Sequence, residues 1–344
     1  MQFLSLGSTS DIGASCHLLT LGDTCVALDA GADPNRDGLP SVPDFEAARR
    51  KTHVDIAHVI LTHAHHDHIG ALPSLVDQYP DVQVHCTPET RDLVDFMLQS
   101  SARLQQRKYR SGSSPHPPLF FLDDVDYLYD LYCTHNFDEP FSLGASLQAQ
   151  LYWAGHILGS AGVLLSFEEQ GHVRRLLYTS DTNMRPQTIV PKGAYPEPPL
   201  DVLVLETTLG ADSDAEHVTR EGEELRFREA LQEVLARGGA ILLPVFMLGR
   251  AQEILALIDR FKRQGHIPQD VPVYTAGGMR EVSRIYDASR ETTPRRDAAF
   301  EVAGVEQHRF PKGKRAQRAA LDEPSIHVLT SGMMFENTLS NRVA

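Results

Sequence analysis

The chain has 344 residues, enough for two domains with cores of their own, and an ordinary composition of 42% hydrophobic and 23% charged residues. Its 46 acids against 32 lysines and arginines leave a formal net charge of −14, which counts against a nucleic-acid substrate and confines phosphate contacts to local basic patches or bound metal. No run is long enough to cross a bilayer and no basic-then-apolar leader opens the chain, while Cys16, Cys25, Cys86 and Cys133 lack Cys-x-x-Cys spacing and read as reduced thiols of a cytoplasmic protein without a membrane partner.

In chain order, residues 2–7 read as a short strand closing on a glycine turn. Residues 16–20 and 25–29 flank Leu21-Gly22-Asp23-Thr24 as a hairpin, with His17 a structural residue in the strand pattern. Asp29 ends the second of these strands, where a carboxylate either forms a turn or orients a ligand imidazole. The mostly apolar run 57–61 leads into Thr62-His63-Ala64-His65-His66-Asp67-His68-Ile69-Gly70, which packs four histidines and one aspartate into six residues. A short apolar run ending so abruptly in polar residues is a strand delivering ligands at its C-terminal end. A short helix then carries Leu72, Leu75 and Val76 on one face, and residues 82–86 form the next strand. Residues 88–108 read as a helix with Leu93, Val94, Phe96, Met97 and Leu104 apolar; Arg103, Arg107, Lys108 and Arg110 at its end are a solvated face. Residues 111–118 are a loop by composition, and Asp123-Asp124-Val125-Asp126 starts another short helix.

Residues 147–153 form a strand running into Gly155-His156, and residues 174–179 one ending in Tyr178-Thr179-Ser180-Asp181. Asp29, His63, His156 and Asp181 thus all fall at strand tips, where chemistry collects in layered α/β folds. From Asp201 the rhythm changes: a buried-type strand at 201–205, an amphipathic helix at 223–237, a strand at 240–246, a helix at 249–264 and a strand at 271–274. That alternation implies a parallel α/β layer and a second domain starting near Glu206.

Imidazole and carboxylate are the usual ligands of zinc and similar divalent ions. The spacing His-x-His-x-Asp-His lets His63 and His65 point one way and Asp67 and His68 another, which suits two metals side by side. With Leu28-Asp29-Ala30-Gly31, Gly155-His156 and the Asp181 tip, it resembles the metallo-β-lactamase superfamily. Leu205-Glu206-Thr207-Thr208-Leu209-Gly210, residues 243–253 around Gly249-Arg250, and Ser331-Gly332-Met333-Met334 resemble motifs of its β-CASP nucleases. Ser180 stands where that family often has Gly, and Leu209 where it often has Tyr.

The resemblance implies an α/β fold, a metallo-β-lactamase αββα sandwich over residues 1–205 joined to a β-CASP α/β domain over residues 206–344. Members of that family continue with a C-terminal return carrying two more histidine motifs; this sequence stops at Ala344 before both, so it reads either as a fragment or as a short form needing a partner. By the same resemblance His63, His65 and His156 hold one Zn2+, and Asp67, His68 and a bridging Asp181 hold a second that lacks one family ligand here. Asp67, Asp181, Asp29 and Glu206 are the expected catalytic acids, Asp29 by orienting a ligand and Glu206 by supporting a hydrogen-bond network. Thr207, Thr208, Arg250, Ser331, Gly332 and Met333 are expected substrate contacts. Arg309, Lys312, Lys314, Arg315 and Arg318 form another basic cluster, a candidate backbone contact. The implied function is zinc-dependent hydrolysis of RNA or single-stranded DNA, endo- or exonucleolytic, alone or with other subunits of an RNA-processing or RNA-guided complex. Two rivals stay open: a catalytically silent RNA-binding β-CASP subunit, and a metallohydrolase of a small thioester or lactam.

Overall fold

The computed structural model describes residues 1–7, 13–197, 199–336 and 338–344. They form two compact units, one of Met1–Met184 with Gly193–Glu206, the other of Arg185–Lys192 with Thr207–Ala344.

In the first unit one sheet holds β1 (Gln2–Ser5), β2 (His17–Leu21), β3 (Thr24–Leu28), β4 (Ile56–Ile60), β5 (Gln83–Cys86) and β6 (Tyr132–Thr134), in that spatial order. The first three strands run antiparallel and the rest parallel. The parallel steps need crossovers, and these carry the unit's helices: α1 (Phe45–Thr52), α2 (His66–Ile69), α3 (Leu72–Gln78), α4 (Pro88–Arg110) and α5 (Leu122–Tyr127). Helix α4 starts where Thr87 accepts a hydrogen bond from the Thr90 N–H and Pro88 fills the first helical position; it buries Leu93, Val94, Leu98 and Ala102.

A second sheet follows: β7 (Pro140–Ser142), β8 (Leu147–Trp153), β9 (Ala161–Glu169), β10 (His172–Tyr178) and β11 (Val202–Val204). Inward residues of β8, β9 and β10 (Leu151, Val163, Leu165 and Leu176 among them) share one core with Leu19, Val26, Leu28 and Ile60 of the first sheet, so the sheets pack face to face. Strand β11 departs from expectation. It pairs parallel with β10 instead of opening the second unit's sheet, and it is an edge strand, with Leu203 53% exposed, not a buried one. Apolar content alone cannot distinguish an edge strand from a central one.

Across β4 to β6 runs a row of imidazoles. His58 Nδ1 lies 3.1 Å from His85 Nε2, and His85 Nδ1 lies 3.0 Å from His135 Nε2, while Phe141 stacks on His135. Burial, then the His58 and His135 imidazoles beside it, lowers the His85 pKa to about 3.

The second unit has one wholly parallel sheet of β12 (Ala240–Pro244), β13 (Val273–Thr275), β14 (His308–Arg309) and β15 (Ser325–Leu329), ordered β12-β15-β13-β14. Its helices are α6 (Arg220–Ala236), α7 (Arg250–Arg263), α8 (Met279–Ala288), α9 (Lys314–Leu321) and α10 (Leu339–Val343). The central strand β15 is buried throughout and shares a core with Leu255, Ile258 and Phe261 of α7. Helix α6 is less amphipathic than its sequence suggests: Leu231 is buried, Phe227, Val234 and Leu235 are partly buried, and Leu225 is exposed. His327 sits inside β15, bonded to Ser325 and stacked on Tyr274. Among the described residues no helix is long and apolar enough to cross a membrane.

Candidate metal centre

The centre is built from the ends of β3, β4, β8 and β10. Leaving β4, the chain passes Thr62 and His63, and His65 takes an extended conformation just before the single turn of α2 that carries Asp67 and His68. That turn is laced to residues 29–32: Ala30 N–H donates to the His68 carbonyl (2.8 Å) and Ala32 N–H to that of His66 (3.1 Å). A Cβ on Gly31 would lie 1.6 Å from the Asp67 carbonyl oxygen, so only glycine permits this approach. The His66 ring turns away onto Gly70, where a Cβ would meet its Cε1 at 2.6 Å.

Four ligand atoms, from His63, His65, His156 and Asp181, all lie within 4.8 Å of one another. His65 Nδ1 is 3.2 Å from both His63 Nε2 and His156 Nε2. Asp181 faces two ways. Its Oδ2 lies 3.8 Å from His63 Nε2 and 3.6 Å from His156 Nε2, while its Oδ1 lies 3.5 Å from His68 Nε2. Asp67 Oδ2 is 3.8 Å from the same His68 nitrogen. The carboxylate of Asp181 therefore stands between a three-imidazole group and an Asp67–His68 pair.

Asp29 sits behind the pair, fully buried and at φ 65°. Its Oδ2 accepts from His68 Nδ1–H at 2.9 Å and from Tyr178 Oη at 3.0 Å, and its Oδ1 accepts from the Thr62 N–H at 2.8 Å. With Nδ1 pinned in this way, His68 presents Nε2 to Asp67 and Asp181, the usual arrangement of a metal-ligating histidine. Ser180 adopts φ 51°, a left-handed position that glycine takes at least cost. Its hydroxyl adds a 2.7 Å contact to Thr62 Oγ1 that glycine could not make.

Burial works against a charged His68, but Asp29 first, then Asp181 and Asp67, outweigh it and hold the pKa well above the ordinary imidazole value. Burial, then the neighbouring His68, drives His63 far below that value. Burial alone would raise the Asp181 carboxyl, yet its hydrogen bond to His68 and the charges of His68, His63 and His156 keep it well below the usual carboxylate range. Three imidazoles and a carboxylate thus bring four donor atoms within 4.8 Å of one another, a set of lone pairs that only a cation can share. Divalent cations take nitrogen and oxygen ligands of this kind, so the donor set fits the metal its residue types suggest.

Two loops are fastened by residues that carried no role in the sequence. Thr182 Oγ1 and the Asn183 N–H both donate to the Ala154 carbonyl, at 3.0 and 2.9 Å, tying the Asp181 tip to the His156 tip. Tyr195 donates to Thr182 Oγ1 at 2.7 Å. Neither Thr182 nor Tyr195 belongs to a ligand spacing, so no sequence signal marks them. Glu206 follows β11, with its backbone N–H on Thr179 Oγ1 at 3.4 Å, one strand over from the Asp181 tip. Arg250, Thr207, Thr208, Ser331, Gly332 and Met333 belong to the second unit. Arg250 opens α7 and is exposed, as are Thr207, Thr208 and Met333; Ser331 and Gly332 are half-buried after β15.

Two sheets packed face to face, with histidines and aspartates at their tips, define the metallo-β-lactamase fold, and residues 10–140 match the family model described as the metallo-β-lactamase superfamily. A soil-metagenome subclass B3 metallo-β-lactamase, MEM-A1, aligns with TM-score 0.35 and 18% identity over 51% of this chain and 59% of that one. The chain is 30% identical over 335 residues to an RNase J-like protein of Methanocaldococcus jannaschii, covering 95% of this chain and 70% of that protein. It is 31% identical over 346 residues to transcription termination factor FttA of Methanothermobacter thermautotrophicus, covering 97% and 52%. It is also 30% identical over 287 residues to endoribonuclease ysh-1 of Neurospora crassa, covering 81% and 31%. The chain belongs to the β-CASP nuclease family of the metallo-β-lactamase superfamily. It spans about half the length of the FttA relatives it matches.

Proposed function

We propose that this chain is a zinc-dependent nuclease that hydrolyses phosphodiester bonds of RNA. In this reading residues 1–205 act as the metallo-β-lactamase domain and residues 206–344 as the β-CASP domain. The observation that carries it is the two-way carboxylate of Asp181, with His63 and His156 facing one oxygen and His68 facing the other.

His63, His65 and His156 would hold one zinc ion, Asp67 and His68 the second, and Asp181 would be shared. When bound, such a pair supplies Lewis acidity to a phosphodiester and makes water acidic enough to attack near neutral pH. The chain's own residues do the arranging. Asp29 fixes the tautomer and direction of His68 through the Nδ1–H bond. Thr62, Tyr178 and Ser180 hold Asp29 in turn. Glu206 supports the Thr179 turn next to Asp181 through its backbone. Arg250, Thr207, Thr208, Ser331, Gly332 and Met333 supply contacts to the polynucleotide. The likeness to an RNase J-like protein and to an endoribonuclease supports RNA over a small thioester or lactam. In the cell we place the protein in the cytoplasm, where other subunits of a processing complex would join it.

The test is direct. Purified, zinc-supplemented protein is analysed for metal and incubated with labelled single-stranded RNA and with a chromogenic lactam, with and without chelator. Near two zinc ions per chain and chelator-sensitive RNA cleavage are expected. Substoichiometric zinc with RNA binding but no cleavage supports the silent-subunit reading, and lactam turnover without RNA cleavage supports the small-molecule reading.

A further inference from the structure

The His156 and Asp181 tips end strands that are not neighbours. Strand β9 lies between β8 and β10, so no ladder bond joins the two tips, and two strand spacings leave their roots about 10 Å apart. Yet Asp181 Oδ2 comes within 3.6 Å of His156 Nε2. Just before Asp181 the chain is held toward other elements: the Thr179 N–H donates to the Val204 carbonyl at 3.0 Å, and Ser180 Oγ lies 2.7 Å from Thr62 Oγ1. The bonds that run to the His156 loop come just after it.

Residues 193–195 lie across both tips as a clasp. The Gly193 N–H donates to the Asn183 carbonyl on the Asp181 side, and the Ala194 N–H to the Trp153 carbonyl on the His156 side, each at 2.8 Å. Tyr195 Oη donates to Thr182 Oγ1 at 2.7 Å, and Thr182 Oγ1 donates to the Ala154 carbonyl at 3.0 Å. Each hydroxyl has one proton to give, so the two point the same way and each bond polarises the next. The anchor they reach is itself braced, because Ser160 Oγ accepts the N–H groups of His156 and Ile157, both at 3.1 Å.

The ring of Tyr195 is set in place by what surrounds it. A Cβ on Gly162 would lie 2.5 Å from its Cε1, and one on Gly193 would lie 3.2 Å from its Cε2 and 2.9 Å from the Ala154 carbonyl oxygen. Neither Thr182 nor Tyr195 supplies an atom to the ligand cluster. Their influence on it passes through the backbone on either side of Asp181 and His156.

Resting on the metal reading above, we propose that Tyr195 and Thr182 are positioning residues for the shared carboxylate. Their hydrogen-bond chain holds the Asp181 tip against the His156 loop, so that one carboxylate serves both ligand groups. Released from the chain, Asp181 follows its own strand, stays with one group and loses the other. A purely structural role gives a different pattern, a lower melting temperature with unchanged metal binding.

The probe is zinc(II) alone, titrated into the metal-free full chain against a chromogenic chelator at low temperature. The unmodified chain takes up two ions in this reading. Tyr195→Phe keeps the ring without the hydroxyl, and Thr182→Val keeps the shape. Each should retain one ion and weaken the other by about 10-fold. The melting temperature of the metal-free protein should fall by no more than about 3 °C. Thr182→Ser, which restores the hydroxyl, should recover the affinity lost in Thr182→Val. The double substitution should bind no more weakly than Thr182→Val alone, because Tyr195 acts through Thr182. On labelled RNA, kcat should fall by about the same factor with KM within about twofold.

Variants that hold both ions as tightly as the unmodified chain, or that weaken both alike, overturn the assignment of Tyr195 and Thr182 and leave the metal centre standing. A large fall in melting temperature with unchanged affinity overturns it too. If zinc binds but RNA is untouched, the nuclease reading fails, and the titration alone upholds or overturns the clasp. If the unmodified chain takes up no zinc, the metal reading fails and the clasp falls with it.

Discussion

At the strand tips of the first unit, the acids and imidazoles face one another at hydrogen-bonding or ion-pairing distance, mostly out of solvent. At the strand ends of the second unit, Arg250, Arg280, Lys312, Lys314 and Arg315 are exposed, and among the described residues no ion pair engages them. The first arrangement is geometric. Asp29 touches Thr62, His68 and Tyr178 at once, so moving any one group disturbs the others. The second is additive, because solvated charges a few residues apart act nearly independently. One region thus holds its polar groups in fixed places, and the other leaves its cations open to water.

The largest expected effect breaks the geometric side. Asp181→Ala removes both oxygens that separate the two ligand groups. RNA cleavage should fall by about 10³-fold or more, with bound metal reduced in elemental analysis and the fold retained by circular dichroism. Cleavage within tenfold of the unmodified chain would remove Asp181 from the centre.

Next is a test of whether the two units are separable. Leu255 is fully buried in the second unit's core, and Leu255→Ala should cost about 2–5 kcal/mol. In differential scanning calorimetry that loss should shift one unfolding transition and leave metal content at low temperature unchanged. A metal content that falls with it would mean the first unit depends on the second for its shape.

Asp29→Asn is a subtler break, because shape is kept and charge is lost. His68 loses the carboxylate that holds its Nδ1–H. Affinity for the more weakly held metal ion should drop about 10–100-fold in a chelator competition, with the other ion retained.

The smallest effect concerns acid stability. His85 is held near a pKa of about 3 against an ordinary 6.5, so it stays neutral in the fold but takes a proton when unfolded. Its contribution is complete above about pH 6.5 and is lost as pH falls from there toward 3; His58 and His135, also lowered by burial, act in the same direction. Replacing His85 with Gln should reduce the pH dependence of unfolding free energy between pH 6 and 4 by up to about 1.4 kcal/mol per pH unit. An unchanged slope in denaturant titrations would show that the row titrates elsewhere.

Local elements were the legible part of the sequence. The hairpin, helix α4, and the strands entering the His63 and Asp181 tips follow from apolar patterning and turn residues. Strand β9 and helices α1, α8 and α9 did not announce themselves. The first is a continuous buried run, and α9 buries no side chain at all. Val202–Val204 looked like the opening strand of a new sheet, and its partner in β10 could not be read from its own residues.

By itself the sequence determined the chemistry of the centre, because His63, His65, Asp67 and His68 sit within six residues and local spacing alone fixes how they can point. Only the tertiary structure decided that His156 and Asp181 meet them, that Thr182 and Tyr195 fasten those two tips, that Glu206 stands a strand away, and that five scattered cations end on one edge. The reason is physical. Those placements are set by hydrogen-bond register between strands far apart in the chain, and register depends on the partner strand, which no local pattern encodes.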